Sequence, residues 1–452
     1  MPRGSESFWK GTAMAITSER AANTSSVSSV PEKDWTGRAI FSLGFLTLIS
    51  TFNYLDRSVL GLALPAIKSE MHVSDTALGL VSGLAFVLFY SIMGIPIAWA
   101  ADRWNRRNIV GIGFAFWSLM TMMTGWVSNI WQLAGARFLM GAGEACGIAP
   151  SNSIIADLFR SERRTLAFAI FSTAVSISSI GFFPVVGFVG QTYGWRQMFV
   201  VAGVPGIILA GLFVLTVKEP QRGATEARKA TAARTPLLET LGFLFRSRAY
   251  LCLLVGATLM GLNVFAASVW VPTFLMRVHG FRMGEVAAIV GPVRGVCGAA
   301  GVLLGGLAMD WLGRRASHWR MTLPAIACLL TGPAEVLFLL VDAKQIWIPA
   351  FAASAFLTLI HQSAVFAGVA SVAQVRMRAV AASILLFCSA LFGQATGPLL
   401  VGMTNDALAP SLGPMAIRYS LLVIAVTAVL AGVSFALAGR FISADTARAA
   451  QE

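Results

Sequence analysis

From residue 39 onward the chain is written in long apolar runs separated by short polar stretches. About 20 consecutive apolar residues are needed for a helix to cross a hydrocarbon core roughly 30 Å thick. Twelve runs meet that length, at 39–67, 76–101, 108–126, 130–158, 165–191, 197–217, 249–278, 284–309, 321–341, 346–374, 379–405 and 418–440. None alternates with the period of two that a membrane barrel strand shows. Inside lipid each segment must satisfy its own backbone polar groups, so helices are the form these runs take. The pattern predicts an all-α membrane protein of twelve transmembrane helices.

Composition agrees. Of 452 residues, 56% are hydrophobic and 12% charged, about half the charged share of a soluble domain, and the mean hydropathy is +0.73. A water-soluble globular enzyme is excluded on that balance. The net charge of +13 comes without a basic stretch interleaved with stacking aromatics, so nucleic acid is not the expected partner. Cys146, Cys252, Cys297, Cys328 and Cys388 all lie in apolar runs without a CxxC pair, and neither a metal site, a disulfide framework nor a cofactor is expected.

Charge placement gives the topology, because cytoplasmic loops retain Lys and Arg. With the N-terminus inside, the inner loops hold Arg103, Arg106, Arg107, Arg160, Arg163, Arg164, Arg314, Arg315, Arg376 and Arg378, whereas the outer loops hold few basic residues. Both termini are expected in the cytoplasm of a bacterium, with the spans in its inner membrane. Residues 1–38, Ser- and Thr-rich and lacking the apolar core of a signal peptide, read as a disordered tail. Residues 39–217 then form one six-helix bundle and 249–440 a second, followed by a tail at 441–452. The connection 218–248 carries seven basic residues, and Pro236 to Arg246 spaces its apolar positions as an amphipathic helix would. A short lead-in to the seventh span is the plainer alternative.

An internal repeat supports the same division. Ala101-Asp-Arg-Trp-Asn-Arg-Arg107 follows the second span and Met309-Asp-Trp-Leu-Gly-Arg-Arg315 the eighth, with Asp102 and Asp310 208 residues apart. These loops resemble the signature of the major facilitator superfamily. The second copy, from Gly306 to Arg315, fits closely; the first departs at Ala98 and Asn105, where that pattern usually has Gly. Asn53-Tyr-Leu-Asp-Arg57 and Arg137-Phe-Leu-Met-Gly-Ala-Gly-Glu144 resemble its spinster-like branch. The resemblance covers 39–440 and implies two pseudo-symmetric bundles rocking about a central site. It also implies that Asp102, Arg103, Arg106, Arg107, Asp310, Arg314 and Arg315 act as a gate latch across the bundles, meeting the fifth and eleventh helices. Loops that merely obey the positive-inside rule would carry the same arginines.

Seven ionisable residues fall well inside the runs: Asp56, Arg57, Arg137, Glu144, Arg294, Glu335 and His361. Each charge at mid-span costs about 2.5 to 3.5 kcal/mol on insertion scales, which calls for pairing, a wet cavity or a function. Arg137, Gly141 and Glu144 share a helix face, and Asn53 shares one with Arg57. The expectation is that Asp56, Arg57, Arg137 and Glu144 line a polar cavity and couple transport to protons, a role the spinster resemblance also implies. A static clamp between the first and fourth helices is the alternative. Arg294 is the candidate for binding an anion, unless it pairs with Glu335; Asn53, Tyr54, Asn263, His361 and Gln394 are candidate substrate contacts.

No phosphate-binding Gly-x-x-x-x-Gly-Lys loop and no nucleophile elbow occurs, so an ion gradient rather than ATP is the expected energy source and no catalytic residue is assigned. The function expected is a monomeric secondary transporter moving protons with an amphipathic lipid-like or organic anion. A small organic-anion symporter or drug exporter competes with it, and a receptor or scaffold that transports nothing is the reading from a different class.

Overall fold

The computed structural model describes residues 35–222, 237–316 and 318–451. Residues 1–34 of the expected tail and 223–236 of the expected 218–248 linker lie outside these. Among the described residues the chain is helical throughout, and the helices join into twelve rods: α1 (Gly37–Met71), α2 (Asp75–Arg103), α3 (Arg106–Thr124), α4 (130–158), α5 (Ser161–Tyr193), α6 (Trp195–Thr216), α7 (Arg248–His279), α8 (Met283–Arg315), α9 (Trp319–Leu340), α10 (Lys344–Val372), α11 (378–412) and α12 (Leu422–Gln451). Each apolar run falls mainly on one rod, the last beginning on a short helix, Ala416–Ser420, that precedes α12. The rods form two six-helix bundles, α1–α6 and α7–α12, joined by a short linker helix, Leu237–Phe245.

Local chemistry sets the rod ends. Thr36, Asn105, Asn129 and Ser247 each turn a side-chain oxygen onto a first-turn N–H at 3.0–3.2 Å, starting α1, α3, α4 and α7. Asn105, which stands where the superfamily pattern has Gly, thus serves as a cap. α12 continues through 441–451, where Asp445 accepts hydrogen bonds from Ser247 Oγ and Ala249 N at 2.7 and 2.8 Å. The last turns of α12 are thereby tied to the start of α7.

Three rods carry a π-helical turn: Val81–Ala85 in α2, Ser178–Phe182 in α5 and Ser389–Gln394 in α11. Such turns widen a helix and recur at functional sites. Gly83, inside the first, faces the carbonyls of Gln394 and Ala395 beside the third, so close that an added Cβ would lie 2.6 and 2.8 Å from their oxygens.

The ends of the molecule differ. One, the terminus side, bears Gly37, Gln451 and the linker helix; the other is the far side. A continuous hydrophobic core runs through the first bundle and crosses into the far half of the second, through Trp270, Phe274, Val286, Trp347 and Val401. A separate core, around Tyr250, Leu253, Met321, Val369 and Phe435, is confined to the second bundle. The seam between bundles is therefore packed on the far side.

Candidate functional site

Side chains at positions 56 and 57 of α1 leave the helix about 100° apart, and the structure sends them to different neighbours. Arg57 turns toward α4, where its Nε donates to Glu144 Oε2 at 2.8 Å. Asn53, one turn earlier, donates its Nδ2 to the same oxygen at 2.8 Å. Glu144 is fully buried and its Oε1 has no hydrogen-bond partner. Asp56 instead points into the bundle beside Trp117 and Thr121 of α3, and its Oδ1 is also without a partner.

Arg137 completes the group. Its Nη1 donates to the backbone carbonyl of Asp56 at 3.3 Å, and its Nε is unpaired. Phe86 of α2 lies under both arginines, with guanidinium carbons 4.9 Å (Arg57) and 5.4 Å (Arg137) from its ring centre. Tyr90 lies 5.1 Å from Arg57, and Tyr54 is a further electrostatic neighbour. The close passage of α2 over α4 needs Gly141, whose missing Cβ would meet the Phe86 carbonyl. In place of an open polar cavity, the four charged groups form a packed cluster. Asp56, Arg137 and Glu144 are at most 2% exposed, and only the Arg57 side chain, at 16%, is partly exposed. The reason is the helix period, which turns Asp56 inward when Arg57 faces α2 and α4.

In the second bundle Asn263 is occupied rather than offered to a ligand: its Nδ2 donates to both Glu335 oxygens at 3.0 and 3.2 Å and to the Ile424 carbonyl at 2.9 Å. His361 uses Nδ1 on the Thr358 carbonyl at 2.7 Å and stacks on Phe435. Gln394 ends the π turn of α11 and is buried. Arg294 is half-buried and makes no hydrogen bond or ion pair among the described residues; Glu335 is its electrostatic neighbour but not a salt-bridge partner. It sits one turn from Gly291, which abuts Ser179 of α5 across the seam.

The far side of the seam holds residues that sequence reasoning missed. Asp75, at the start of α2, accepts hydrogen bonds from Arg277 of α7 at 2.7 and 2.8 Å, an ion pair from Lys68 at 2.9 Å, and a hydrogen bond from Asn405 of α11. Asp406 accepts from the N–H groups of Asp75 and Thr76 at 3.0 and 2.7 Å, capping α2 from the opposite bundle. The available signal was the Ser-Asp-Thr start of α2, which reads equally as an ordinary helix cap.

On the terminus side the arginines of the two repeat loops stay within their own bundle among the described residues. Arg106 binds Glu219 at 2.7 Å, Ser153 at 2.8 Å and Asp157; the Arg107 N–H donates to Glu219 at 2.7 Å; and Arg103 packs on Trp99. Arg315 packs on Trp311, 3.9 Å from its ring centre, and Arg314 has no ion pair among the described residues. The carboxylates of Asp102 and Asp310 pair with nothing among the described residues, although the Asp102 carbonyl accepts from Arg222. Every cross-seam hydrogen bond seen among those residues lies between mid-seam and the far side, Ser176 to the Gly295 carbonyl being the one nearest the middle.

Two bundles sealed at one end, with buried charges between the ends, match a known family. The Major Facilitator Superfamily model matches residues 46–398. The chain belongs to that superfamily. Membership carries membrane transport as its coarse activity. An MFS-type efflux pump of Mycolicibacterium smegmatis is 30% identical over 87% of this chain and 91% of its own length. Human protein spinster homolog 1 is 26% identical over 91% and 83%. A crystal structure of a bacterial homologue of the human lysosomal transporter spinster, inward-facing and unoccupied, superposes with a TM-score of 0.81 at 27% identity, covering 91% of this chain and 98% of that one. The resemblance to spinster read from Asn53–Arg57 and Arg137–Glu144 thus extends over most of the facilitator fold.

Proposed function

We propose that this facilitator is a proton-coupled carrier of amphipathic, lipid-like anions that works as a monomer by alternating access. We read the terminus side as cytoplasmic, since its loops hold the excess of Arg, and the far-side seal as the closed outer gate of an inward-facing state. The observation that carries the coupling is Glu144: one oxygen is held by Asn53 and Arg57 while the other is bare, so a proton can settle on Oε1 without breaking either bond. Its partner Arg57 is the one partly exposed member of the cluster, placed to respond to a substrate or to gate movement. A proton crossing 100 mV supplies about 2.3 kcal/mol, enough for a roughly fortyfold gradient at 1.4 kcal/mol per decade.

Arg294 supports an anionic substrate, because an unpaired guanidinium beside the seam suits a phosphate or carboxylate. Relatives 24–25% identical are named as sphingosine-1-phosphate transporters, which is an amphipathic anion of the proposed kind. The 30% identity to an efflux pump favours export as the direction, and extrusion of drug-like compounds as the second reading.

The test is flux into proteoliposomes under an imposed pH gradient, across a panel of lysolipids, sphingoid phosphates, small organic anions and lipophilic drugs. Gradient-driven movement of the amphipathic anions is expected. Equal flux with and without the gradient would remove proton coupling, and flux of lipophilic drugs alone would leave the exporter reading.

A further inference from the structure

A cavity of about 450 Å³ lies away from the seam, on the terminus side of the second bundle. The linker helix, the turn before α11 and the end of α12 border this open hollow. Its lining residues include three arginines, Arg246, Arg376 and Arg448, against Glu239, with the Asp445 carboxylate 3.9 Å from Arg448. Glu239, Gly242, Phe243 and Arg246 fall at i, i+3, i+4 and i+7, so one face of the linker helix forms one wall. Nothing stands within 4 Å of where a Gly242 Cβ would be, which leaves that wall open.

The arginines are poorly satisfied. Arg448 reaches the carbonyls of Arg246 and Phe243 only at 3.4 Å and the Asp445 carboxylate only at 3.9 Å, lies over the Phe243 ring, and has no partner at its Nε. Arg376 stands 3.6 Å from Glu239, beyond a good hydrogen bond, and directs its Nε to Gln374 at 2.8 Å. Arginines lining one space, with only long contacts to the carboxylates beside them, suit a tetrahedral oxyanion.

The other faces of the linker helix indicate where that oxyanion comes from. Thr240 and Leu244 are buried against the bundle, while Leu238 and Phe245, seven residues apart on a third face, are 83% and 48% exposed beside the cavity. An apolar stripe next to a basic pocket, at the level where the spans end, lies at the boundary of acyl chains and headgroups. We propose that this cavity binds the phosphate of an anionic phospholipid from the terminus-side leaflet, a bound lipid that fastens the linker helix to α12. It lies outside the seam, so the inference stands whatever substrate the seam carries.

The test uses the full chain in detergent, titrated with phosphatidylglycerol, phosphatidylcholine or inorganic phosphate, with binding read by native mass spectrometry and by the shift in melting temperature. Phosphatidylglycerol is expected to bind and stabilise, and phosphatidylcholine, whose choline adds a cation, to bind at least several-fold more weakly. Each arginine near an anionic lipid contributes about 1 kcal/mol, so the triple variant Arg246→Gln, Arg376→Gln, Arg448→Gln should weaken phosphatidylglycerol binding roughly tenfold or more. Arg163→Gln, in the first turn of α5 in the other bundle, should leave it unchanged. If the triple variant does not fold, Arg376→Gln alone, half-exposed, should still lower affinity several-fold. Equal binding by wild type and variants, or no preference over phosphatidylcholine, would overturn the proposal. Displacement of the lipid by inorganic phosphate at equal concentration would assign the cavity to a soluble anion instead.

Discussion

Asp75 and Arg277 meet across the far-side seam through two parallel hydrogen bonds of 2.7 and 2.8 Å, carboxylate to guanidinium. One residue belongs to each bundle, so the pair exists only while that side is closed. An interaction present in one state and absent in the other biases the equilibrium between them by its full worth. The Asp75 carboxylate is wholly buried, and Lys68 and Asn405 add to its hold.

Asp75→Asn removes the charge and keeps the shape. Hydrogen bonds to charged groups contribute about 1.5 to 3 kcal/mol, so the ratio of far-side-closed to far-side-open molecules should fall roughly tenfold or more. Labelling of a cysteine placed in the far half of α7 measures this. Unchanged labelling would reduce the pair to an ornament of the closed state.

A steric counterpart is available at Gly83. A methyl there would press on the carbonyls of Gln394 and Ala395 at 2.6 and 2.8 Å, and overpacking of this kind costs about 1 to 3 kcal/mol. Gly83→Ala should also raise far-side labelling while the interior of the first bundle packs as before. If it lowers overall melting temperature without changing accessibility, the contact is one of general stability.

For the proton site, Glu144→Gln keeps an acceptor for Asn53 and Arg57 but removes the titrating group. Gradient-driven flux should disappear while exchange of substrate across equal pH persists. Asp56→Asn distinguishes the two acids: buried beside Trp117 and Thr121, it is expected to affect coupling less than Glu144→Gln. Full gradient dependence in both variants would contradict the assignment of protons to this cluster.

At Arg294 the expectation concerns affinity. Arg294→Ala should weaken binding of an amphipathic anion roughly tenfold to a hundredfold, the worth of one charge-assisted hydrogen bond or two, and leave an uncharged analogue unaffected. Scintillation proximity binding with both ligands checks it. Equal losses for both would point to packing.

Much of this architecture was legible from apolar runs, because a lipid-spanning helix must be written as about 20 apolar residues wherever it occurs. That Arg137 shares a face with Glu144, and Asn53 with Arg57, was legible from spacing, whereas the Asn53–Glu144 bond was not, and from sequence Asn53 reads as a substrate contact. The direction of Asp56 was not, because an aspartate beside an arginine reads as its partner until the helix period separates them. Asn263 looked like a free polar contact, and only the fold brings Glu335 and the Ile424 carbonyl to it. The Asp75–Arg277 pair joins residues on helices of different bundles, and no local pattern links them. The π turns likewise leave no periodic trace, since one extra residue in a helix interior disturbs the apolar rhythm too little to be read.

The far-side seal rests on bare backbone: Gly61, Gly79, Gly83 and Gly402 each bring their own helix against main-chain atoms of the other bundle. Main chain laid flat on main chain makes a shallow joint at these four points, beside the apolar core that crosses the seam. Two surfaces joined this way part without unthreading anything, so the door can swing at little frictional cost while the ion pair at its edge serves as the catch.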